Sequence, residues 1–492
     1  MSQNNIRDIY RPSLALLTDL YQITMAYAYW KTGGHDKQAM FQMFFRRLPF
    51  GGGFAVAAGL EALINYVDGF VWGREDLEFI AAIKGSDGRP IVCDDFIHYL
   101  KTTPFRVSID AVEEGCLVFP HEPLIRVTGP LLQCQLLETA LLNLINFPTL
   151  IATKAARICL AAQGDKVLEF GLRRAQGVDG GLTASRSAFI GGVDGTSNLL
   201  AGSLYGIPVG GTHAHSWVMS FDNELEAFMK FASSVPGSSI FLVDTYNTIA
   251  GVKNAIKAGR WLRENGHELY GVRLDSGDLG YLSKQARTLL DEAGFDKTVI
   301  VGSNDLDESQ IVNLKSAGAK ISVWGVGTRL VTGYDDPALG GVYKLVAIRD
   351  SSAESWRYKL KLSDQISKIT TPGRQQIRRF TLNGEYAADM VFDELSPPGY
   401  EDWTIVDPTD MTRRKKISKD TPYEDLLRPV IVEGKRVYDG GGVHAARQRC
   451  REQLTRLNES IKRIANPHDY PAGLDVSLHE RKAKMILDLK GF

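Results

Sequence analysis

Cysteine is scarce: five residues in 492, at Cys93, Cys116, Cys134, Cys159 and Cys450, odd in number and widely spaced. No Cys-x-x-Cys pair or mixed Cys/His cluster occurs, which speaks against a zinc ribbon or a disulfide frame and suits a reducing compartment, the cytosol. Charge of one sign is also missing. Lys plus Arg number 57 against 58 for Asp plus Glu, a net charge of −1. No whole-protein field is left to grip nucleic acid or an anionic membrane, so neither partner is expected. The opening MSQNNIRDIY lacks the apolar core of a signal peptide. The most apolar long stretch, 131–152, is interrupted by Gln133, Gln135, Glu138, Asn143, Asn146 and Pro148, and reads as buried helix rather than membrane span. Walker A, Gly-x-Ser-x-Gly and His-Glu-x-x-His motifs are absent as well.

What is present is ordinary globular composition, 44% apolar and 23% charged. The length of 492 residues exceeds the roughly 250–300 at which one core stops growing, so two or three units are expected. Residues 1–145 mix short strands and helices. FQMFFRRLPF (41–50) reads as a strand ending in a turn, GGGFAVAAGLEALINYV (51–67) as a Gly-rich turn entering a helix, and CLVFPHEPLIRVTGP (116–130) as two strands held to edges or bulges by their prolines. From about 166 to 330 the pattern becomes strand, polar loop, helix. The runs KVLEFG (166–171), SIFLVDT (239–245), LYGVRLDSGD (269–278), TVIVGSND (298–305) and KISVWGVGT (320–328) each end in Gly, Asp, Ser, Asn or Thr. Amphipathic segments at 278–294 and 307–318 lie between them, the second with Asp307 as its cap. This is α/β organisation with a parallel sheet, open or closed; a β/α barrel is favoured because polar residues follow several successive strands. Residues 351–492 carry short strands at 356–362, 377–383 and 428–438, a helix near 443–464 and a basic RRKK run (413–416) that reads as a solvated loop.

The polar loops suggest chemistry. In VWGVGT, Gly325 and Gly327 allow backbone N–H groups to face a phosphate and Thr328 adds a hydroxyl. In RLDSGD, Arg273 can bind an anion and Asp275 can accept sugar hydroxyls or stabilise positive charge; the bland alternative is an internal Arg273–Asp275 pair with Asp278 capping the next helix. GSN (302–304) offers further donors. GLRRAQG (171–177) holds Arg173 and Arg174, of which one at most is expected to reach the site because adjacent side chains diverge. GGTHAHS (210–216) holds His213 and His215. Together these loops describe a pocket for a phosphorylated sugar, and residue types alone carry the reading no further.

The ordered blocks LLTDLYQITMAYAYW (16–30), FFRRLPFGGGFAVAAGL (44–60), FGLRRAQGVDGGLTAS (170–185), GTHAHSWVMSF (211–221), LVDTY (242–246), GVRLDSGDL (271–279), VGSNDLDE (301–308), GVGTRLVT (325–332) and GGVYKLVAI (340–348), with TTPG (370–373), resemble the nicotinate phosphoribosyltransferase family. The resemblance implies an irregular β/α barrel (146–350) joined to an α/β domain built from both ends of the chain, 1–145 and 351–492. It implies a homodimer with active sites at the interface. The implied reaction, of the ligase class, condenses nicotinate with phosphoribosyl pyrophosphate, coupled to ATP hydrolysis and assisted by Mg2+, in NAD salvage. By motif, Tyr21 resembles the aromatic cover contributed by the partner subunit, and Phe170 the ring's other wall. Arg173, Thr212 and Arg273 resemble nicotinate contacts, and Asp275 the ribose-contacting carboxylate. Ser303, Asn304, Gly325, Gly327 and Thr328 match the 5′-phosphate loops. His215 matches the histidine that ATP phosphorylates, whereas His213 matches no such position. Nicotinamide-using relatives carry an aspartate where Ser197 stands here. Two competing readings are a sister transferase preferring nicotinamide and a non-catalytic phosphometabolite sensor on the same scaffold.

Overall fold

Six short runs of apolar residues between 166 and 326 form one parallel sheet: β1 (Lys166–Glu169), β2 (Gly195–Thr196), β3 (Ile240–Leu242), β4 (Gly271–Leu274), β5 (Val299–Ser303) and β6 (Val323–Val326). The computed structural model describes residues 13–350, 354–399 and 402–492; the MSQNNIRDIY segment lies outside them. The sheet order is β2-β1-β6-β5-β4-β3. Consecutive strands are therefore neighbours, and the last strand closes onto the first through Val323–Val326 paired with Lys166–Glu169. The ring is broken only between β2 and β3, where no ladder forms among the described residues. That seam makes the barrel irregular. Alternate residues Lys166, Leu168, Ile240, Val299, Val301 and Val323 line a cavity of about 660 Å3, so the sheet curls around a hollow interior.

Helices cover the outside. Thr248–Glu264, Leu279–Glu292 and Glu308–Ser316 link β3 to β6, each started by a side-chain cap from Asn247, Asp278 or Asp307. The expected strands and helices of this region all form, within a few residues of the boundaries read from sequence. This unit comprises Leu150–Pro337 with Ile464–Asn466.

The other unit takes the chain through Thr149 together with Ala338–Arg463 and Pro467–Phe492. Its seven-stranded sheet interleaves both ends of the sequence: Gln38–Phe44 pairs with Val342–Arg349 and with Ile125–Pro130, and Ser108–Ala111 pairs with Arg428–Val432. Four sequence expectations need correcting here. Ile125–Pro130 is a central strand, because Pro120 and Pro123 fall before it and Pro130 only ends it. The Gly-rich turn does not run straight into a helix; Ala55–Val56 forms a strand first, and the helix Leu60–Asp68 starts after Gly59, at φ +99°. Gly59 is needed there because a Cβ would lie 2.1 Å from the Leu144 carbonyl oxygen, a carbonyl freed by Pro148, which has no N–H to return. The C-terminal helix is shorter than read, Gly442–Arg456, and Asn458 builds a turn on Ser460 just beyond it. The RRKK run is strand rather than loop, Arg414–Ile417 at the edge of a six-stranded sheet. Lys415 in that strand donates to the Ala387 carbonyl. The apolar stretch ends in the helix Glu138–Ala162, largely buried in the protein.

One buried polar network fixes this unit. Arg379 and Asp389 are fully buried and paired, with Arg379 Nε 2.9 Å from Asp389 Oδ1. Arg379 also donates to Gln453 Oε1 at 3.0 Å and to the Leu117 carbonyl at 2.8 Å, while Tyr470 donates to Asp389. Glu122 sits beside this pair. Burial, then the Asp389 charge, holds its carboxyl protonated well above the ordinary carboxylate range. The proton favours the folded state, so this contribution is full below the ordinary glutamate value and fades as pH rises toward the raised one. Two outcomes are expected in urea unfolding. Glu122→Gln, which needs no proton, flattens the fall in stability that begins above the ordinary glutamate value, and so is more stable relative to the wild type at pH 7 than at pH 4. Arg379→Ala loses about 3–5 kcal/mol by leaving Asp389 buried and unpaired.

Candidate active site

Parallel strands end at a single rim, so loops distant in sequence become neighbours there. Phe170, Arg173, Thr212, His215, Arg273, Asp275, Ser303, Asn304, Gly325, Gly327 and Thr328 border one cavity of about 530 Å3 at that rim. Arg173 and Arg174 both border it, correcting the expectation that at most one would. The turn Leu172–Arg174 lies along the edge, and neither guanidinium is held by another side chain among the described residues.

Arg273, the third residue of β4, is the most constrained group. Its Nε donates to Ser303 Oγ at 2.9 Å, Nη1 to Thr212 Oγ1 at 3.1 Å and Nη2 to Asp275 Oδ1 at 2.8 Å. Three of the five guanidinium N–H groups are engaged, leaving one on each terminal nitrogen: a two-pronged donor aimed by the protein. The guanidinium stands 5.5 Å from the Phe170 ring centre. Ser303 Oγ also donates to Asp275 Oδ1 at 2.5 Å. The internal Arg273–Asp275 pair and the Asp278 cap on Tyr281 N–H both exist, and the pair still faces the cavity.

Asp244, at the end of the β3 run, was not singled out from sequence. Its carboxylate is nearly fully buried. Oδ1 lies 3.1 Å from His215 Nε2, and Oδ2 accepts from the Asp275 N–H at 3.0 Å and the Ser276 hydroxyl at 2.6 Å. One carboxylate thus orients the histidine and the Asp275 loop together. An acidic residue directly after a barrel strand was the signal available for it. His213 behaves differently. Nε2 accepts from the Leu242 N–H at 3.2 Å, so Nδ1 carries the proton and faces the Ala214 carbonyl. Burial lowers its pKa to about 4, outweighing the Ala214 carbonyl; the Arg273 and His215 charges act in the same sense as burial.

On the other side of the cavity the backbone is under tension. Asn304 and Asp305 adopt φ of +121° and +43°, a conformation L-residues hold only when surroundings impose it. The Asp307–Arg329 pair, at 2.7 Å, anchors the chain just beyond. Gly325 is required because a Cβ would lie 2.7 Å from the Phe170 ring; the aromatic wall and the glycine loop are therefore packed as one piece. Ser197 is exposed and borders the same cavity, so no carboxylate occupies that position. Tyr21 belongs to the other unit, on the helix Leu20–Lys31, and is 47% exposed; it is not among the residues lining this cavity. Among the described residues no group of three His, Cys, Asp or Glu side chains is placed to hold a metal.

Barrel, rim and cavity together put the chain in the class of phosphoribosyl-transferring enzymes built on an open β/α barrel. Within that class it belongs to the nicotinate phosphoribosyltransferase family. Three family models match in order: the nicotinate phosphoribosyltransferase N-terminal domain over 16–146, the family proper over 166–376, and the C-terminal domain over 374–482. The chain is 42% identical over 482 residues to the nicotinate phosphoribosyltransferase of Bacillus subtilis, covering 97% of this chain and 96% of that one. It is 34% identical to the enzyme of that name from Homo sapiens, covering 96% of each. The crystal structure of human nicotinic acid phosphoribosyltransferase superposes with a TM-score of 0.82 at 32% identity, over 95% of this chain and 99% of that one. A nicotinate-nucleotide pyrophosphorylase from Pyrococcus furiosus shares the fold, with a TM-score of 0.67 at 21% identity.

His213 generates a pH prediction. Its folded-state pKa is depressed from 6.5 to about 4, so the stability it contributes is present above 6.5 and lost as pH falls through the lower value. The thermal midpoint should fall between those limits, and His213→Phe should reduce the slope of that fall. An unchanged slope contradicts a neutral, buried His213.

Proposed function

We infer that this chain joins nicotinate to 5-phosphoribosyl 1-pyrophosphate, giving nicotinate mononucleotide and pyrophosphate. The carrying observation is the Arg273 fork, held by three side chains beside Phe170 in the same cavity as the strained 302–305 loop. A pyridine lying on Phe170 would meet the two remaining Arg273 N–H groups with its carboxylate, and Arg173 or Arg174 would add charge from the rim. Nicotinamide lacks that carboxylate. A cation left unpaired in a desolvated pocket costs about 3–5 kcal/mol, or about two to three and a half decades of preference for the acid. Ser197, in place of a carboxylate, removes a repulsion that would oppose nicotinate.

Displacement of pyrophosphate at the anomeric carbon passes through an oxocarbenium-like state. Asp275, fixed through Oδ1, can turn its other oxygen, which takes no protein hydrogen bond among the described residues, toward the sugar hydroxyls or the developing positive charge. Asn304, Gly325, Gly327 and Thr328 would receive the 5′-phosphate. Ser303, already bonded to Arg273 and Asp275, holds those two groups in place. Mg2+ would arrive on the substrate phosphates, neutralising charge on the leaving pyrophosphate, with the outer oxygen of Asp275 as the carboxylate available to it; Mg2+ commonly binds through only one or two carboxylates plus phosphate.

ATP coupling is proposed at His215. With Asp244 accepting from Nε2–H, the lone pair lies on Nδ1, on a side chain 42% exposed. Transfer of the ATP γ-phosphoryl to Nδ1 forms an N–P bond and releases ADP; later hydrolysis returns the histidine and phosphate. The modification places about two negative charges beside the pyrophosphate position, favouring product separation. A homodimer in which Tyr21 of the partner subunit covers the pyridine, and a cytosolic location, complete the proposal.

Purified protein should release pyrophosphate with nicotinate at least about a hundredfold faster than with nicotinamide at subsaturating concentration. Equal or faster use of the amide would overturn the Arg273 assignment. His215→Ala should keep ATP-independent turnover and lose stimulation by ATP; full stimulation in that variant removes the phosphohistidine.

A further inference from the structure

Glu169, the last residue of β1, is fully buried. It faces no cation among the described residues, unlike the buried Glu308, which is paired with Lys154 and Arg157. Its carboxylate is met only by neutral donors. Oε1 accepts from the Gly171 N–H, and Oε2 accepts from Ser185 Oγ at 2.8 Å and Thr196 Oγ1 at 2.5 Å. The network continues: Thr196 Oγ1 accepts from the Asn198 N–H at 2.9 Å, and Ser185 Oγ accepts from Asn198 Nδ2 at 3.1 Å. The Ser197 N–H donates to the Glu169 carbonyl at 2.9 Å.

Two segments therefore hang on one side chain. Gly171 begins the turn that carries Arg173 and Arg174. Thr196 and Asn198 flank Ser197. Both segments border the cavity on either side of Phe170, which follows Glu169 directly. An ionised carboxylate accepts and cannot donate, so it satisfies all three donors at once. An amide cannot: turned to accept the two hydroxyls, its NH2 opposes the Gly171 N–H. A buried charge held by neutral dipoles contributes little to stability compared with an ion pair or an apolar residue, and its place at the junction of two substrate-facing loops suggests what it does instead.

We propose that Glu169 is a positioning residue for pyridine selection: it sets the arginine turn and the Ser197 segment in one geometry, and so governs affinity for the acidic ring without touching it. This rests on the reaction inferred above. The phosphate loops at 302–305 and 325–328 have no hydrogen bond to the Glu169 side chain; the 325–328 loop is joined to this strand through the backbone, the Phe170 N–H donating to the Val326 carbonyl at 2.7 Å, a contact that Glu169→Gln leaves in place.

Steady-state kinetics and hydrogen exchange test this together. Glu169→Gln should raise the nicotinate KM about tenfold, leave the phosphoribosyl pyrophosphate KM within about twofold, and narrow the preference for nicotinate over nicotinamide. Thr196→Val, a smaller change that keeps the carboxylate, should shift the same constants in the same direction, and Thr196→Ser should restore them. In exchange, amides at 171–175 and 197–198 should open faster in Glu169→Gln while 302–305 and 325–328 stay as in the wild type. Parallel rises in both KM values, a fall in kcat alone, or unchanged exchange at both segments overturns the proposal. A wild-type protein inactive on both pyridines would defeat the reaction, while the exchange comparison would still decide the role of Glu169.

Discussion

The site depends on how one arginine is held. A guanidinium at the end of a barrel strand would ordinarily sample several rotamers and lose much of its entropy on meeting an anion. Arg273 has already lost it. Thr212 comes from the 210–216 loop, Ser303 from the end of β5 and Asp275 from just past β4, and each takes one N–H. What remains is one N–H on each terminal nitrogen of a guanidinium whose orientation is fixed, donors that a carboxylate can accept with both oxygens and an amide cannot. The same contacts tie Asp275 in place, so charge recognition and the sugar-facing carboxylate are set by one cluster.

That cluster in turn needs the barrel. Thr212 follows β2 by sixteen residues, whereas Asp275 and Ser303 sit at the ends of β4 and β5. Only parallel strands in sequential order bring such positions to one rim. The open seam between β2 and β3 adds length there, and the 210–216 loop uses it to bring Thr212 and His215 to the cavity. Asp244 and His213 then play opposite parts. Asp244 presents a charge to His215, while His213 stays neutral and supports the Leu242 backbone. Two histidines two residues apart thus have different chemistry because one meets a carboxylate and the other a hydrophobic wall.

Much of this was legible in the amino-acid order. Strand runs ending in Gly, Asp or Ser are local signals, and so are the caps at Asp278 and Asp307. The convergence of the loops followed from the barrel once the repeat was recognised. Other features were hidden for physical reasons. The Ile125–Pro130 strand looked like an edge because proline position within a run decides its effect, and the prolines fell outside the ladder. Asp244 and Glu169 lie within strand runs; their importance lies in which donors surround them, and apart from Gly171 those donors are 16 to 32 residues away in sequence. The placement of Arg174 beside Arg173 at the rim came from a 3₁₀ turn that residue types alone do not specify. Gly325 was read as freeing an N–H, whereas the structure adds a steric reason, the Phe170 ring lying against it.

A crystal structure with nicotinate mononucleotide bound tests the central claim most directly. The account requires the pyridine carboxylate on the two free N–H groups of Arg273, the ring against Phe170, and the phosphate at the 302–305 and 325–328 loops. A nucleotide bound with its phosphate on Arg273, or with its ring away from Phe170, would contradict it.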